Sequence, residues 1–185
     1  VVGIPVTPPG AQATTPHVAR GFFGLRADRR TILVTSGGTT VGPFERVVHE
    51  LLSLEQELPG RLQLLVVCGH NGAAVKRLRQ FAARAAMPAT VVGFIETMPQ
   101  AIAAADLVVA KAGGLTTAEA LGQGRPLVIY HVIPGQEEFN AAHAADRGAA
   151  VIATRPRAVR RIVRELLLDA GRLERMRSGS ASLGR

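Results

Sequence analysis

The chain has 185 residues, 47% hydrophobic and 19% charged, with a net charge of +8. This suits one globular domain with its own core and excludes a disordered chain. The single Cys68 excludes a disulfide framework and a cysteine metal cage. No uncharged apolar run reaches the length of a membrane span.

Residues 1–30 are rich in Pro, Gly and Thr and read as a linker, with one short extended piece at Val1–Val6. Regular patterning follows. Thr31–Ser36 (TILVTS) is a β-branched strand ending in Gly37-Gly38. Pro43–Leu58 has helical spacing through Phe44, Val47, Val48, Leu51 and Leu52. Leu62–Cys68 is a strand closed by Gly69, and Asn71–Ala86 a helix. Ala89–Gly93 is a short strand. Thr97–Ala104 is a short helix with Pro99 in its first turn. Asp106–Ala110 is a strand running into Gly113-Gly114, and Leu115–Gly122 a helix. Pro126–His131, Gln136–Arg147, Ala149–Ala153 and Pro156–Ala170 continue as strand, helix, strand and helix.

Six strands thus alternate with helices. The strands are continuous apolar runs, as in strands buried on both faces. The expected fold is α/β, a Rossmann-like doubly wound parallel sheet of about six strands. Ligands on such sheets bind at the carboxyl ends of the strands.

Three strand ends carry candidate chemistry. In Lys111–Glu119 (KAGGLTTAE) a strand meets two glycines and a helix start, where free N–H groups and the helix dipole favour an anion. Thr116 and Thr117 would cap that helix or add donors. Glu119, one turn in, could accept from a diol such as ribose; it also reads as an ordinary glutamate near a helix start. Ser36–Pro43 (SGGTTVGP) is either a second ligand turn or a tight connection, and no Walker loop exists in the chain. In Pro134–Asn140 (PGQEEFN), Gln136, Glu137 and Asn140 share one turn. They suit a polyhydroxyl ligand or a solvated helix start. His70 and His131 at strand ends could line a pocket or be structural. No metal spacing is present. Cys68 reads as a buried small hydrophobe.

Taken together these segments resemble the carboxyl-terminal, donor-binding domain of a two-domain glycosyltransferase family. That family includes monogalactosyldiacylglycerol synthase, diacylglycerol glucosyltransferase and the peptidoglycan N-acetylglucosaminyltransferase (family 28-like). The matching pieces are Gly3–Val6 (GIPV), Ser36–Gly38, Val66–Asn71 (VVCGHN), Gly93-Phe94, Met98, Ala105–Leu121 and Pro134–Ala141 (PGQEEFNA). The resemblance implies one half of a GT-B fold and a UDP-sugar donor. The implied contacts are uracil at Phe94 and Ile95 with Met98 against it, ribose at Glu119, and pyrophosphate at Gly113, Gly114, Leu115 and Thr116. Gln136 and Glu137 would meet the sugar, with Gly38 and Asn140 beside the donor. It also implies an inverting hexosyl transfer to an acceptor such as diacylglycerol, with no cofactor and no metal. The catalytic base is expected on an absent amino-terminal domain, so no catalytic residue is assigned to this chain. Thr7 after GIPV and Thr39-Thr40-Val41 depart from the family pattern.

The implied organisation is 1–30 as interdomain linker and end of the missing domain, 31–170 as donor domain, and 171–185 as basic tail. Two rivals remain open: a stand-alone UDP-sugar-binding subunit needing a membrane-anchored partner chain, and a UDP-sugar epimerase-like half-domain. The implied location is the cytoplasm, at the inner face of a membrane. Residues 155–185 hold nine Arg against three acids, leaving a net of +2 for the first 154 residues. With aromatics at 4% there is little for base stacking, so nucleic acid is not an expected partner. The basic end reads as a solvated helix face or a peripheral contact with anionic lipid.

Overall fold

The computed structural model describes residues 14–38, 40 and 42–183. In chain order it contains α1 (Pro16–Phe22), β1 (Arg30–Thr35), α2 (Phe44–Leu52, then a 3-10 turn at Ser53–Gln56), β2 (Leu62–Val67), α3 (Gly72–Ala82), β3 (Ala89–Val92) and α4 (Met98–Ala104). It continues with β4 (Leu107–Lys111), α5 (Gly114–Gly122), β5 (Leu127–His131), α6 (Gln136–Asp146), β6 (Ala150–Ile152), α7 (Pro156–Leu168) and α8 (Ala170–Leu183).

The six strands form one sheet in the order β3-β2-β1-β4-β5-β6, and every pair is parallel. This is the doubly wound sheet that the alternation predicts. The chain winds outward from β1 to β3, then returns to build β4 to β6 on the other side. The reversal leaves a crevice between the carboxyl ends of β1 and β4.

Continuous apolar strands serve two cores. Ile32, Val34, Leu64, Val66 and Val109 face one side, where they pack with α2 and α7 residues such as Phe44, Val47, Val163 and Leu166. Leu33, Leu65, Val67, Val108 and Ala110 face the other, against Ala101, Ala104, Ala120, Ala141 and Ala144. Alternate side chains point to opposite faces, so a strand covered on both faces must be apolar throughout. The second core is built largely from alanine, and small side chains let α4, α5 and α6 lie close to the sheet.

Two segments differ from expectation. The presumed linker contains α1, whose Thr15 side chain caps the Val18 N–H at 3.4 Å and whose first turn holds Pro16. Arg20 ties it to the sheet by donating to Asp106 Oδ2 at 2.7 Å and to the Ala104 carbonyl at 3.1 Å. The presumed tail is α8, with Leu173, Met176 and Ser180 buried. Ser180 Oγ donates to the Arg125 carbonyl at 3.0 Å. The proposed extended piece at Val1–Val6, the GIPV match and Thr7 lie outside the described residues, as do Thr39 and Val41. Among the described residues no helix is long and apolar enough to cross a membrane.

Candidate functional site

The first wall of the crevice comes from the ends of β1 and β2. Gly37 turns at φ 75° and Gly69 at φ 57°, both in the left-handed region that favours glycine. A Cβ on Gly69 would stand 2.4 Å from the Gly37 carbonyl oxygen, so only glycine lets the two turns touch. The His70 N–H donates to the Gly38 carbonyl at 3.1 Å. Asn71 caps α3 by accepting from the Ala74 N–H at 2.9 Å, and its amide donates to Thr40 Oγ1. The SGG and CGHN segments are therefore one interlocked wall.

The second wall is the start of α5. Gly113 occupies the N-cap, and no side chain caps the helix. Neither Thr116 nor Thr117 caps it, contrary to one reading of the sequence. A glycine cap has no side chain to offer, and among the described residues no acceptor meets the first N–H groups. The Thr117 N–H is the first to be satisfied within the helix, by the Gly113 carbonyl at 3.0 Å. The N–H groups of Gly114, Leu115 and Thr116 precede it, at the positive end of the helix dipole.

Between the walls lies a cavity of about 400 Å³. It brings together seven of the expected residues: Gly38, Phe94, Ile95, Met98, Leu115, Thr116 and Glu119. Gly37, Gly69, Glu96 and Pro99 complete much of the lining. Phe94 is 54% exposed, so its ring is available to a ligand. The His70 imidazole stacks on it, with centroids 4.2 Å apart and planes at 14°. Glu119 is half-buried on α5, and burial pushes its carboxyl above the ordinary value. No hydrogen bond or ion pair to that carboxylate occurs among the described residues. It is an acceptor without a donor, aimed at the cavity it lines.

Gly113, Gly114, Glu137 and Asn140 do not line this cavity. They form an adjoining group. Glu137 Oε1 accepts from Lys111 Nζ at 2.5 Å, and Oε2 accepts from the Ile133 N–H at 3.0 Å. Burial pushes the Glu137 carboxyl up, but Lys111 and the Ile133 N–H hold it below the ordinary value. Asn140 Nδ2 reaches the Ala112 carbonyl at 3.5 Å. Gln136 opens α6, and its side chain lies outside what the structure describes.

Sequence reasoning missed Lys111, Gly69 and the stacking role of His70. Lys111 ends a strand, where a lysine usually reaches solvent, and only its meeting with Glu137 marks it. The signal for Gly69 was its place after β2. His131 packs beneath the Gly42 turn, where a Cβ on Gly42 would be 2.7 Å from the ring. Cys68 is buried with its thiol pushed up to about 11, which fits a small hydrophobe and not a nucleophile. Among the described residues no three His, Cys, Asp or Glu side chains gather as a metal site.

The sheet order and the crevice define a Rossmann-like domain whose cavity joins the start of α5 to the Glu119 carboxylate. The chain belongs to the glycosyltransferase family 28 C-terminal domain family, whose profile matches residues 31–182. It is 30% identical over 183 residues to the processive diacylglycerol beta-glucosyltransferase of Bacillus pumilus (strain SAFR-032), covering 99% of this chain and 47% of that protein. It is 32% identical over 183 residues to the probable monogalactosyldiacylglycerol synthase 2 of Oryza sativa subsp. japonica, covering 95% of this chain and 38% of that one. The chain therefore spans about half or less of the length of these relatives. Its fold is that of Acinetobacter baumannii MurG (TM-score 0.69, 24% identity, 91% of this chain and 49% of that one). The S. aureus MnaA structure with UDP shares it as well (TM-score 0.71, 16% identity, 90% and 44%).

Proposed function

We propose that this chain is the donor-binding half of an inverting glycosyltransferase that moves a hexose from a UDP-hexose to a lipid hydroxyl, such as that of diacylglycerol. The observation that carries the reading is the pairing of two unmet capacities across one cavity. Among the described residues, the α5 start offers N–H donors with no acceptor, and Glu119 offers an acceptor with no donor. A nucleoside diphosphate supplies what each lacks: phosphate oxygens for the N–H groups and ribose hydroxyls for Glu119. Phe94, Ile95 and Met98 give the base an apolar seat. The relatives named above, one named a diacylglycerol glucosyltransferase and the other a monogalactosyldiacylglycerol synthase, support the lipid acceptor.

In this reading the sugar leaves as UDP departs. Negative charge grows on the diphosphate, and the N–H groups at the α5 start, fixed before the reaction, stabilise it. The donor is taken without a metal from this chain. The acceptor hydroxyl attacks the anomeric carbon from the face opposite UDP, and its proton passes to a base outside this chain. UDP-sugar epimerases share the fold, but the family match and the diacylglycerol-named relatives favour transfer.

The test is a thermal shift with UDP. Millimolar UDP is expected to raise the Tm by several degrees, and Glu119→Ala to remove most of that rise while the chain stays folded. A folded wild-type chain with no shift would sink the proposal.

A further inference from the structure

A second cavity, of about 650 Å³, lies between α2 and α7 and shares no lining residue with the cavity of the crevice. It sits on the face of the sheet opposite α4, α5 and α6. Arg46 in the first turn of α2 and Arg155 just before α7 place one end of it at the carboxyl edge, because both helices begin where their strands finish. Val47, Val48 and Leu51 of α2 share one buried cluster with Val159 and Val163 of α7, so the two walls of the groove are fixed against each other.

Four guanidinium groups line the groove, from Arg46, Arg155, Arg157 and Arg160, against the single carboxylate of Glu50. That carboxylate does not balance them. It stands 3.8 Å from Arg157 and 3.6 Å from Arg160, beyond hydrogen-bond distance of either. Arg160 donates to Ser53 Oγ at 3.1 Å and lies 3.8 Å from Glu57. Among the described residues the side chains of Arg46 and Arg155 make no ion pair and no hydrogen bond. Further along α7 the arginines are closely met: Arg161 by Glu165 at 2.7 Å and Arg164 by Glu57 at 2.6 Å. The unmet positive charge of the α2–α7 face is thus gathered at the groove. Like charges held together on rigid helices repel one another until an anion comes between them.

We infer that the α2–α7 groove is a second anion site, which takes a soluble organic phosphate with two or more negative charges. Guanidinium forks match phosphate oxygens in pairs, and four of them call for a ligand of more than one charge. The volume exceeds that of an inorganic ion and leaves room for an organic part. Apart from Pro156 the lining has no apolar residue to enter a bilayer, which favours a soluble phosphate over a lipid headgroup. The groove and the crevice share no residue, so both can be filled at once, and the inference does not depend on the donor reading.

The test is calorimetric titration of inorganic pyrophosphate into the chain saturated with UDP, so that the α5 start is already occupied. One further site is expected. Replacing Arg46→Gln and Arg155→Gln together should weaken it about tenfold or more and leave the Tm and the UDP affinity unchanged. Glu50→Gln removes the competing carboxylate and should tighten it about threefold. Arg161→Gln, on α7 but outside the groove, should leave the affinity within about twofold of wild type. Absence of a further site in the UDP-saturated chain would overturn the inference. So would an equal loss in Arg161→Gln and the groove variant, which would show diffuse attraction by the basic face. Co-sedimentation with phosphatidylglycerol vesicles separates the two sources of phosphate. Vesicle binding that needs Arg46 and Arg155, without a pyrophosphate site, would give the groove to a headgroup and overturn the soluble ligand. If UDP does not bind, the donor reading fails, and pyrophosphate titrated into the free chain and the same variants still decides this inference.

Discussion

At the amino edge of the sheet, Asp106 accepts from Arg20 at 2.7 Å and from the Thr31 N–H at 2.8 Å, with Arg177 at 3.6 Å. Beside it the buried Gln63 accepts from the Arg26 N–H at 2.9 Å and donates to Thr31 Oγ1 at 3.0 Å. At the carboxyl edge, among the described residues, Glu119 meets no donor, the α5 start meets no acceptor, and the hydroxyls of Ser36 and Tyr130 are buried without partners. The same sheet thus gathers long-range ion pairs at one end, where the Nε atoms of Arg29, Arg125 and Arg177 stay unpartnered among the described residues, and leaves a carboxylate, two hydroxyls and a helix start unmet at the other. Unmet hydrogen-bonding groups lower stability, so a fold keeps them where a ligand will meet them. The ion pairs that tie distant parts of the chain together lie at the amino edge, and the proposed donor site lies at the carboxyl edge.

Breaking the amino edge gives the largest expected effect. Asp106→Ala removes the shared acceptor of Arg20, Arg177 and the Thr31 N–H. The loss is expected to be about 3 kcal/mol, or about 10 °C in Tm for a domain of this size. UDP affinity, measured below the new Tm, should be unchanged. A variant that unfolds no earlier but binds UDP more weakly would invert the comparison.

Within the carboxyl edge the two glutamates sharpen it, with a smaller effect of opposite sign. Burial raises the Glu119 carboxyl, so the folded chain holds that proton longer than the unfolded one. Its contribution to stability therefore falls as pH rises from the ordinary glutamate value through the raised one. Glu119→Gln should raise the Tm of the ligand-free chain at about pH 7, by about 1–2 °C. The Glu137 carboxyl is lowered, chiefly by Lys111 acting against burial. Its stabilisation is present above the ordinary value and is lost as pH falls through the lowered one. Glu137→Gln should lower the Tm at neutral pH by a similar amount and converge on wild type at acid pH. Thermal unfolding of the three chains across this range reads both signs. Two variants moving the same way would show that the glutamates are not held differently.

How much was legible follows from the same contrast. The six strands and the order of elements were readable because doubly covered strands are near-continuous apolar runs, as in β2, where all six residues are buried and Gln63 alone is polar. The place of Glu119 at the cavity was readable because its signal is local: a strand, two glycines and a helix start within nine residues. Lys111 was not, because its partner lies 26 residues on and neither residue is unusual alone. The helix α1 was hidden in a Pro- and Gly-rich stretch, since what holds it is Arg20 meeting Asp106, 86 residues away. The helix α8 was hidden because it buries few large side chains and relies on Gly179, where a Cβ would stand 2.7 Å from the Arg147 carbonyl oxygen.

The smallest expected effect concerns the basic end, which apart from Arg177 belongs to neither edge. Its arginines lie along α7 and α8 and mostly face acids of their own surface. Arg160 and Arg164 meet Glu57 at 3.8 and 2.6 Å, Arg160 also meets Glu50 at 3.6 Å, and Arg161 meets Glu165 at 2.7 Å. Such a face reads as a solvated helix surface whose charges are met locally. Exposed pairs of this kind contribute little and are screened by salt. Arg161→Ala is therefore expected to cost less than about 0.5 kcal/mol, a difference that shrinks further at high salt. It should leave UDP affinity untouched. The same view expects the chain to co-sediment no better with vesicles containing phosphatidylglycerol than with phosphatidylcholine alone. Stronger sedimentation with the anionic vesicles, lost in Arg161→Ala, would instead make this face a third functional region and add a membrane contact to the two edges.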